Sequence, residues 1–297
     1  MWKKVIAAVL LCAIAAVPVL LTEQALHIAP ERRYTPDRAK AEELAAATNT
    51  HLTAAEARGD DGARLSGWLF VPASEQDTGK AVMLLHGAGD TRRGMMGFAR
   101  FFAQRGFTTL VPDSRGHGVS GGPYVTYGLL EKHDVHKWAD YLLGLKPKAQ
   151  LYGMGMSMGG AILIQSLDVE PRFRSIVAEG SYATFRLAAS ERIPRITGLP
   201  AIVSPPILGA AFFYAQQRYG LDLEAASPLE TMKRAHTPVL LIHGTADDRT
   251  APFQSRLLLD ANPNYADLWE VPGARHVRAS EAAKQEFEDR VMRWFQK

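Results

Sequence analysis

Ser157 stands between two glycines in the run Gly155-Met156-Ser157-Met158-Gly159, directly after an apolar stretch and before Ala161-Ile162-Leu163-Ile164. This order predicts a strand, a sharp turn and a helix, with the serine hydroxyl exposed at the start of the helix. A serine in such a strained turn needs residues without a Cβ two positions before it and two positions after it. The pattern therefore predicts a nucleophilic serine.

A serine hydroxyl is a weak nucleophile at neutral pH, and it needs an imidazole base that a carboxylate orients. In folds with this turn, the acid and then the histidine follow the serine along the chain, on loops at the ends of later strands. The run 238–242 leads into His243-Gly244-Thr245-Ala246-Asp247-Asp248, and the run 268–272 leads into Gly273-Ala274-Arg275-His276. We expect His276 to be the base, because it is the only histidine after the acid loop.

Three carboxylates compete for the role of the acid. Asp247 is the first candidate, and Asp248 is an alternative because adjacent loop residues point in different directions. Glu179 is a third candidate, because it ends the strand that follows the serine helix. A carboxylate that anchors a loop is the simpler interpretation of Glu179.

Acyl transfer also requires hydrogen-bond donors for the developing oxyanion, and backbone amides can supply them. Met158, directly after the serine, provides one candidate amide. The loop His86-Gly87-Ala88-Gly89 follows an earlier strand, and Ala88 is our choice for the second amide.

The other histidines favour structural roles over metal binding. His86 and His243 each precede a glycine at a strand end, where an imidazole can bond to the backbone and shape the turn. His133 and His136 are spaced as a metal pair, but no third ligand at a suitable spacing accompanies them. We expect no metal and no organic cofactor.

Composition indicates one large folded domain. The chain has 297 residues, of which 47% are hydrophobic and 22% charged, so a substantial core can form. The net charge of +3 is spread over the chain without a dense basic block, which argues against nucleic acid as a partner. The single cysteine, Cys12, lies in the N-terminal apolar segment, so the folded domain has neither an internal disulfide nor a cysteine nucleophile.

The N-terminus predicts membrane targeting. Lys3 and Lys4 precede seventeen uncharged, mostly apolar residues from Val5 to Leu21. The segment is just long enough for a short membrane anchor, and Ala13-Ile14-Ala15 could equally serve as the cleavage site of a signal peptide. Both alternatives predict an exported catalytic domain that is either anchored to the membrane or released into the periplasm or the medium.

The rest of the chain divides into a spacer and a catalytic domain. Residues 1–22 form the targeting segment, residues 23–51 a polar spacer or docking helix, and residues 52–297 the domain. Short apolar runs that alternate with helical patterns predict a parallel sheet. An excess of chain between two of these strands indicates an inserted cap at about 183–223, either a lid over an acyl pocket or a pair of helices packed on the sheet.

From about Leu52 to Phe295 the chain resembles the α/β-hydrolases. The shared features occur in the same order: the His86-Gly87 loop, Asp113-Ser114-Arg115-Gly116-His117-Gly118, the Ser157 turn, and the loops of Asp247 and His276. The chain is most similar to bacterial hydrolases related to serine aminopeptidases, monoglyceride lipases and membrane-attached acyl-thioesterases. Pro252 comes one residue later than is usual in this group, which keeps Asp248 as an alternative acid.

The resemblance implies an α/β fold with a mostly parallel eight-stranded sheet, flanking helices and a small helical cap. It also implies acyl transfer to water from a small-molecule ester or thioester. An aminopeptidase-like activity is the alternative, and it would need acidic residues in the pocket, of which the cap offers only Glu191, Asp222 and Glu224. A third alternative is an inactive, membrane-tethered binding protein with the same fold.

Overall fold

The computed structural model describes residue 2, residues 16–27 and residues 38–296. Its central feature is an eight-stranded sheet with the strand order β1-β2-β4-β3-β5-β6-β7-β8. Strands β1 and β2 run antiparallel to their neighbours, whereas all pairs from β4 to β8 are parallel. The predicted fold class, an α/β architecture with a mostly parallel eight-stranded sheet, is confirmed.

The strands are short, as is usual for a sheet that is covered on both faces. They are β1 (Thr50–Arg58), β2 (Arg64–Pro72), β3 (Lys80–Leu85), β4 (Thr108–Pro112), β5 (Gln150–Met156), β6 (Phe173–Glu179), β7 (Val239–Gly244) and β8 (Ala266–Val271).

The first of the helices numbered here precedes β1, and the others lie between and after the strands. They are α1 (Arg38–Ala47), α2 (Met96–Ala103), α3 (Glu131–Leu145), α4 (Met158–Ser166), α5 (Phe185–Thr197), α6 (Ser204–Tyr219), α7 (Pro228–Met232), α8 (Phe253–Ala261), α9 (Ala279–Ala282) and α10 (Lys284–Trp294).

The central strands are buried because helices cover both faces of the sheet. On one face, side chains such as Leu84 and Met154 contact the apolar sides of α1, α2 and α10. On the other face, Met83 and Ile176 belong to a second core with α3, α4 and α8. Alternating side chains of one strand therefore pack into two different cores, which explains why the strand sequences are mostly apolar runs.

The cap range of 183–223 contains α5 and α6. These helices pack on the domain through a third apolar cluster, which includes Phe185, Phe212 and, from α4, Ala161. Their inner face is therefore part of a packed core.

The N-terminal region is described only in part. Residues 16–26 are helical, so the boundary between residues 22 and 23 that the sequence suggested falls inside a helix. Cys12 and the potential cleavage site Ala13-Ile14-Ala15 lie outside the described residues. Within residues 16–27 and 38–296, no helix combines the length and the apolar character needed to cross a bilayer.

Candidate active site

Ser157 occupies the turn between β5 and α4 in a strained conformation. Its φ of 54° and ψ of −118° lie in a region that non-glycine residues rarely adopt. The backbone N–H of Ser157 donates to the carbonyl of Glu179 on β6, at 2.7 Å, which fixes the turn to the neighbouring strand. The hydroxyl consequently stands at the carboxyl edge of the sheet.

The two flanking glycines allow this turn to close. A Cβ on Gly155 would lie 2.4 Å from the carbonyl carbon of Gly159, and a Cβ on Gly159 would lie 2.3 Å from the carbonyl oxygen of Leu85. Both distances are far below a van der Waals contact with backbone atoms that cannot move aside. The glycines are therefore required by close approach of the chain to itself.

His276 lies in the loop after β8, and its ring is in contact with the serine. The Nε2 atom is 2.9 Å from Ser157 Oγ. Gly180, which follows β6, leaves room for the ring: a Cβ there would come within 3.4 Å of His276 Cε1 and Nδ1. The side chain of His276 is only 9% exposed, so its orientation is set by packing as well as by hydrogen bonds.

Asp247 orients the ring from the other side. His276 Nδ1–H donates to Asp247 Oδ2 at 2.7 Å, which leaves Nε2 of the neutral ring free to accept the hydroxyl proton of Ser157. Asp247 Oδ1 accepts from the backbone N–H groups of Arg249 and Thr250, at 2.8 and 2.9 Å. The carboxylate is thus held at both oxygens.

His243 contributes to the acid site as well. Its Nε2–H lies 2.9 Å from the carbonyl of Thr250 and 3.2 Å from Asp247 Oδ2, while Ser255 Oγ–H donates to its Nδ1 at 2.6 Å. Burial raises the pKa of Asp247, but hydrogen bonds from His243, His276 and the Thr250 amide outweigh it, and the pKa lies well below its usual value. Asp247 is therefore ionised across the neutral range.

Asp248 points away from this site. Its side chain is exposed, and Arg275 Nη2–H donates to its Oδ2 at 2.7 Å. The structure brings Asp247, and not Asp248, to the imidazole.

Glu179 lies beneath the site without reaching the ring. Its Oε1 accepts from the backbone N–H of Ala279, three residues after His276, at 2.8 Å, whereas its Oε2 is buried with no hydrogen-bond partner among the described residues. Burial raises the pKa of Glu179 to about 7, although the Ala279 amide and the nearby His243 act to lower it. The carboxyl group fastens the histidine loop to β6.

The loop after β3 lies directly against the serine. A Cβ on Gly87 would be 3.4 Å from Ser157 Cβ, so this loop packs beside the serine side chain. No described residue accepts a hydrogen bond from the Ala88 amide. Met158 is the first residue of α4, and its amide therefore has no carbonyl one turn earlier within the helix.

Two buried histidines hold the loop of Ala88 in place. His86 Nε2 accepts from the Ser114 amide at 3.0 Å, and His117 Nε2 accepts from the Gly89 amide at 3.1 Å. Burial and the adjacent His86 lower the pKa of His117 to about 4, so the ring is neutral and its Nε2 remains an acceptor. The Gly89 amide is thereby occupied, whereas the amides of Gly87 and Ala88 have no acceptor among the described residues.

The sequence predicted that His243 bonds to the backbone, as it does with Thr250, but not its contact with Asp247, nor the roles of His117 and Gly180. It does contain a weak signal for both histidines, because each stands directly before a glycine, His243 at the end of β7 and His117 in the loop after β4. Gly180 follows the strand that ends at Glu179, but its contact with His276 joins residues far apart in the chain and has no local signature.

A metal site is not present among residues 16–27 and 38–296, where no group of three or more ligand-type side chains has a suitable arrangement. His133 Nδ1 lies 4.0 Å from Asp60, and His136 Nδ1 lies 2.9 Å from Glu170 Oε2. The two histidines therefore belong to separate polar contacts on α3.

Comparison with known proteins places these features in a family. Residues 82–290 match the model of the alpha/beta hydrolase family. A Bacillus subtilis protein, YqkD, is 27% identical over 210 residues, which cover 68% of this chain and 66% of that protein, slightly less than two thirds of its length.

Solved structures agree on the fold. The Pyrococcus furiosus esterase Pf2001 superimposes with a TM-score of 0.73 at 22% identity, covering 91% of this chain and 97% of the esterase. An acylaminoacyl peptidase in complex with a chloromethyl ketone superimposes with a TM-score of 0.62 at 17% identity, covering 84% of this chain and 42% of the peptidase. At these identities the likeness concerns the fold alone.

Proposed function

Because the chain belongs to the alpha/beta hydrolase family, we propose that it cleaves carboxylic ester or thioester bonds with Ser157 as nucleophile, His276 as base and Asp247 as the orienting acid. The observation that carries the proposal is the continuous contact from Ser157 Oγ to His276 Nε2, at 2.9 Å, and from His276 Nδ1 to Asp247 Oδ2, at 2.7 Å. Family membership supports hydrolase activity in general, and the contact supports serine as its nucleophile.

The reaction proceeds in two halves. His276 Nε2 takes the hydroxyl proton as Ser157 Oγ bonds to the carbonyl carbon, and the imidazolium then protonates the leaving alcohol or thiol as the acyl–oxygen or acyl–sulfur bond breaks. Water, deprotonated by the same nitrogen, attacks the acyl-enzyme, and the carboxylic acid leaves as Ser157 Oγ regains its proton. Ionised Asp247 stabilises the imidazolium in both halves.

The developing oxyanion faces the amides of Met158 and Ala88 in this proposal. The Met158 amide lies at the N-terminus of α4, where the helix dipole also favours negative charge. Loss of one such donor typically costs about 3 kcal/mol of transition-state stabilisation. The buried rings of His86 and His117 support this role, because they fix the backbone on either side of Ala88.

The hydrogen bonds that the cap carboxylates already accept favour ester hydrolysis over aminopeptidase activity. Glu191 accepts from the amide of Ala251 at 3.1 Å, and Glu224 pairs with Arg186. Asp222 accepts from the amide of Glu224 at 3.1 Å. Each of the three acids thus already accepts a hydrogen bond or ion pair from another group, which weakens it as a partner for a substrate ammonium ion.

The test is labelling of the full chain with a fluorophosphonate probe, followed by turnover assays on p-nitrophenyl esters and aminoacyl anilides. We expect stoichiometric labelling that Ser157→Ala abolishes, together with turnover of the esters. Ser181→Ala is the matched control, because its hydroxyl lies near the same turn, 3.5 Å from the carbonyl of Ser157, yet does not contact His276. A folded protein without labelling would favour the binding protein, and turnover of anilides alone would favour the peptidase.

A further inference from the structure

The outer face of α6 is apolar where a surface helix would ordinarily be polar. Ile202, in the short turn that precedes α6, is 82% exposed, and Phe213 is 67% exposed. Pro205, Pro206 and Ala210 are also exposed and lie between them. Because these positions recur every three or four residues, they form one continuous stripe about 16 Å long.

The stripe continues onto the end of α5. Ile196 and Leu199 are 47% and 41% exposed. The start of α6 lies against α5, since Ser204 Oγ–H donates to the carbonyl of Ser190 at 3.3 Å. We call the surface of Ile196, Leu199, Ile202, Pro205, Pro206 and Phe213 the apolar cap face. Contiguous exposed apolar surface of this kind marks an interaction site.

The apolar cap face lies on a segment of the chain whose only charged side chains are basic. Residues 192–221 include Arg192, Arg195 and Arg218 and not one acidic residue. Arg192 and Arg195 are exposed and precede Ile196 within about one helical turn. Neither forms an ion pair with a described residue. An occupant with negative charge around an apolar centre would complement this surface.

The N-terminal segment arrives at the same helix. Leu26 is fully buried in the cluster of the cap, and Thr22 Oγ1–H donates to the carbonyl of Ala211 on α6 at 3.2 Å. Glu23 Oε1 accepts from the phenolic hydroxyls of Tyr214 and Tyr219, at 2.8 and 2.5 Å. The uncharged run from Val5 to Leu21 thus ends on the helix that carries the apolar cap face.

We propose that the apolar cap face is a docking surface for an anionic phospholipid bilayer. Exposed leucine, isoleucine and phenylalanine side chains enter the boundary between headgroups and acyl chains, while flanking arginines contact anionic headgroups. A second copy of the chain fits less well, because a two-fold contact would bring two identical surfaces together, and the segment 192–221 of each carries arginines but no acidic residue to pair with them. The docking does not depend on the proposed hydrolysis.

The experiment uses the full chain with Cys12→Ser, so that a single introduced cysteine carries an environment-sensitive fluorophore. The label is placed by Ile202→Cys or Phe213→Cys in the cap, and by Tyr265→Cys as the matched control. Tyr265 is 37% exposed and precedes the amino end of β8, whereas the cap follows the carboxyl end of β6, so the control lies at the opposite edge of the parallel sheet.

Labelled protein is mixed with vesicles of equal parts phosphatidylcholine and phosphatidylglycerol, with or without doxyl-labelled lipid. We expect a blue shift and quenching by doxyl lipid at positions 202 and 213, and neither effect at position 265. Arg192→Gln with Arg195→Gln should reduce both effects, and so should vesicles of phosphatidylcholine alone.

Three results would overturn the proposal. Labels at 202 and 213 that stay unquenched while the protein sediments with vesicles would mean attachment through the N-terminus only. Absence of any sedimentation would exclude a bilayer, and a blue shift that grows with protein concentration without lipid would identify a second copy as the occupant. Fluorophosphonate labelling of the same samples reports the proposed hydrolase site separately, and circular dichroism verifies that each variant is folded.

Discussion

The adjacent residues Asp247 and Asp248 have opposite environments. Asp247 is buried and holds His276, whereas Asp248 is exposed and pairs with Arg275. We expect Asp247→Asn to lower kcat by about four orders of magnitude, because an amide favours the wrong tautomer of the ring, and Asp248→Asn to leave kcat nearly unchanged. Steady-state assays on an activated ester with both variants measure the difference.

The two variants also control for each other, since each replaces one carboxylate of the same loop by its isosteric amide. Equal and mild losses in kcat would contradict the assignment of Asp247 and point to Glu179 as the acid.

The sequence alone identified the loop that carries the acid but did not decide between Asp247 and Asp248, because the choice depends on which side chain turns inward. That choice is set by the N–H groups of Arg249 and Thr250 and by His243, contacts that form only in the folded loop.

Glu179 makes the stability of the protein depend on pH. Its pKa rises from 4.5 to about 7 on folding, so the folded state binds the proton more tightly than the unfolded state does. The stabilisation is therefore fully present below about pH 4.5 and is lost as the pH rises through about 7. The shift corresponds to about 3 kcal/mol in the free energy of unfolding.

Glu179→Gln removes this ionisation but keeps an oxygen for the Ala279 amide. We expect the difference in free energy of unfolding, wild type minus variant, to become more negative between pH 5 and pH 8, as measured by urea denaturation. A difference that is constant with pH would show that Glu179 does not titrate in this range.

At the level of secondary structure, the turn that carries Ser157 depends on the close packing of α4 against the end of β3. Gly159→Ala would place a Cβ 2.3 Å from the Leu85 carbonyl oxygen, and the resulting overpacking should lower the free energy of unfolding by about 3 kcal/mol or more. Gly144→Ala is the control, because Gly144 lies in α3 with open space around it, and alanine there should stabilise the helix by about 0.5–1 kcal/mol. Urea denaturation of both variants compares the two effects.

An unchanged urea-denaturation midpoint for Gly159→Ala would mean that α4 can move away from the end of β3 at no cost in free energy. The outcome for Gly144→Ala has the opposite sign, so a general sensitivity of the protein to alanine cannot produce the expected pair of results.

The buried strands were predictable, whereas the edge strand was not. Mostly apolar runs mark β3, β4, β6 and β7 in the sequence, because a strand covered on both faces has few positions that face water. β1 has the sequence THLTAAEAR and is largely accessible to solvent, so it lacks both a continuous run and a clear alternation. It is held by pairing with β2 along its whole length, a tertiary contact that local pattern cannot reveal.

For the molecule as a whole, the position of the N-terminal segment could not have been predicted. The sequence suggested a polar spacer or a docking helix after residue 22, and the structure has a helix over residues 16–26 that packs on the cap. The contacts that hold it, such as Thr22 with Ala211 and Glu23 with Tyr214, join residues about 190 positions apart. Contacts of this kind follow from the shape of the cap surface and leave no periodic signal in the spacer.

The N-terminal segment, residues 16–27, should detach from the cap and pack on it again without unfolding of the sheet. A terminal helix held by few contacts can open without unfolding the sheet, and Leu26 supplies its fully buried anchor. Leu26→Ala should cost about 2–5 kcal/mol of packing energy, which corresponds to at least about thirtyfold faster amide exchange in residues 16–27 if the loss falls on local opening alone. Leu20→Ala, at a position 65% exposed on the same helix, should leave exchange unchanged in the absence of lipid.

Hydrogen–deuterium exchange followed by mass spectrometry measures the opening of residues 16–27 directly, and urea denaturation measures the stability of the rest of the fold. A lower midpoint for Leu26→Ala without faster local exchange would instead make the segment part of the cooperative core, because then the cap and the segment would open only when the sheet itself unfolds.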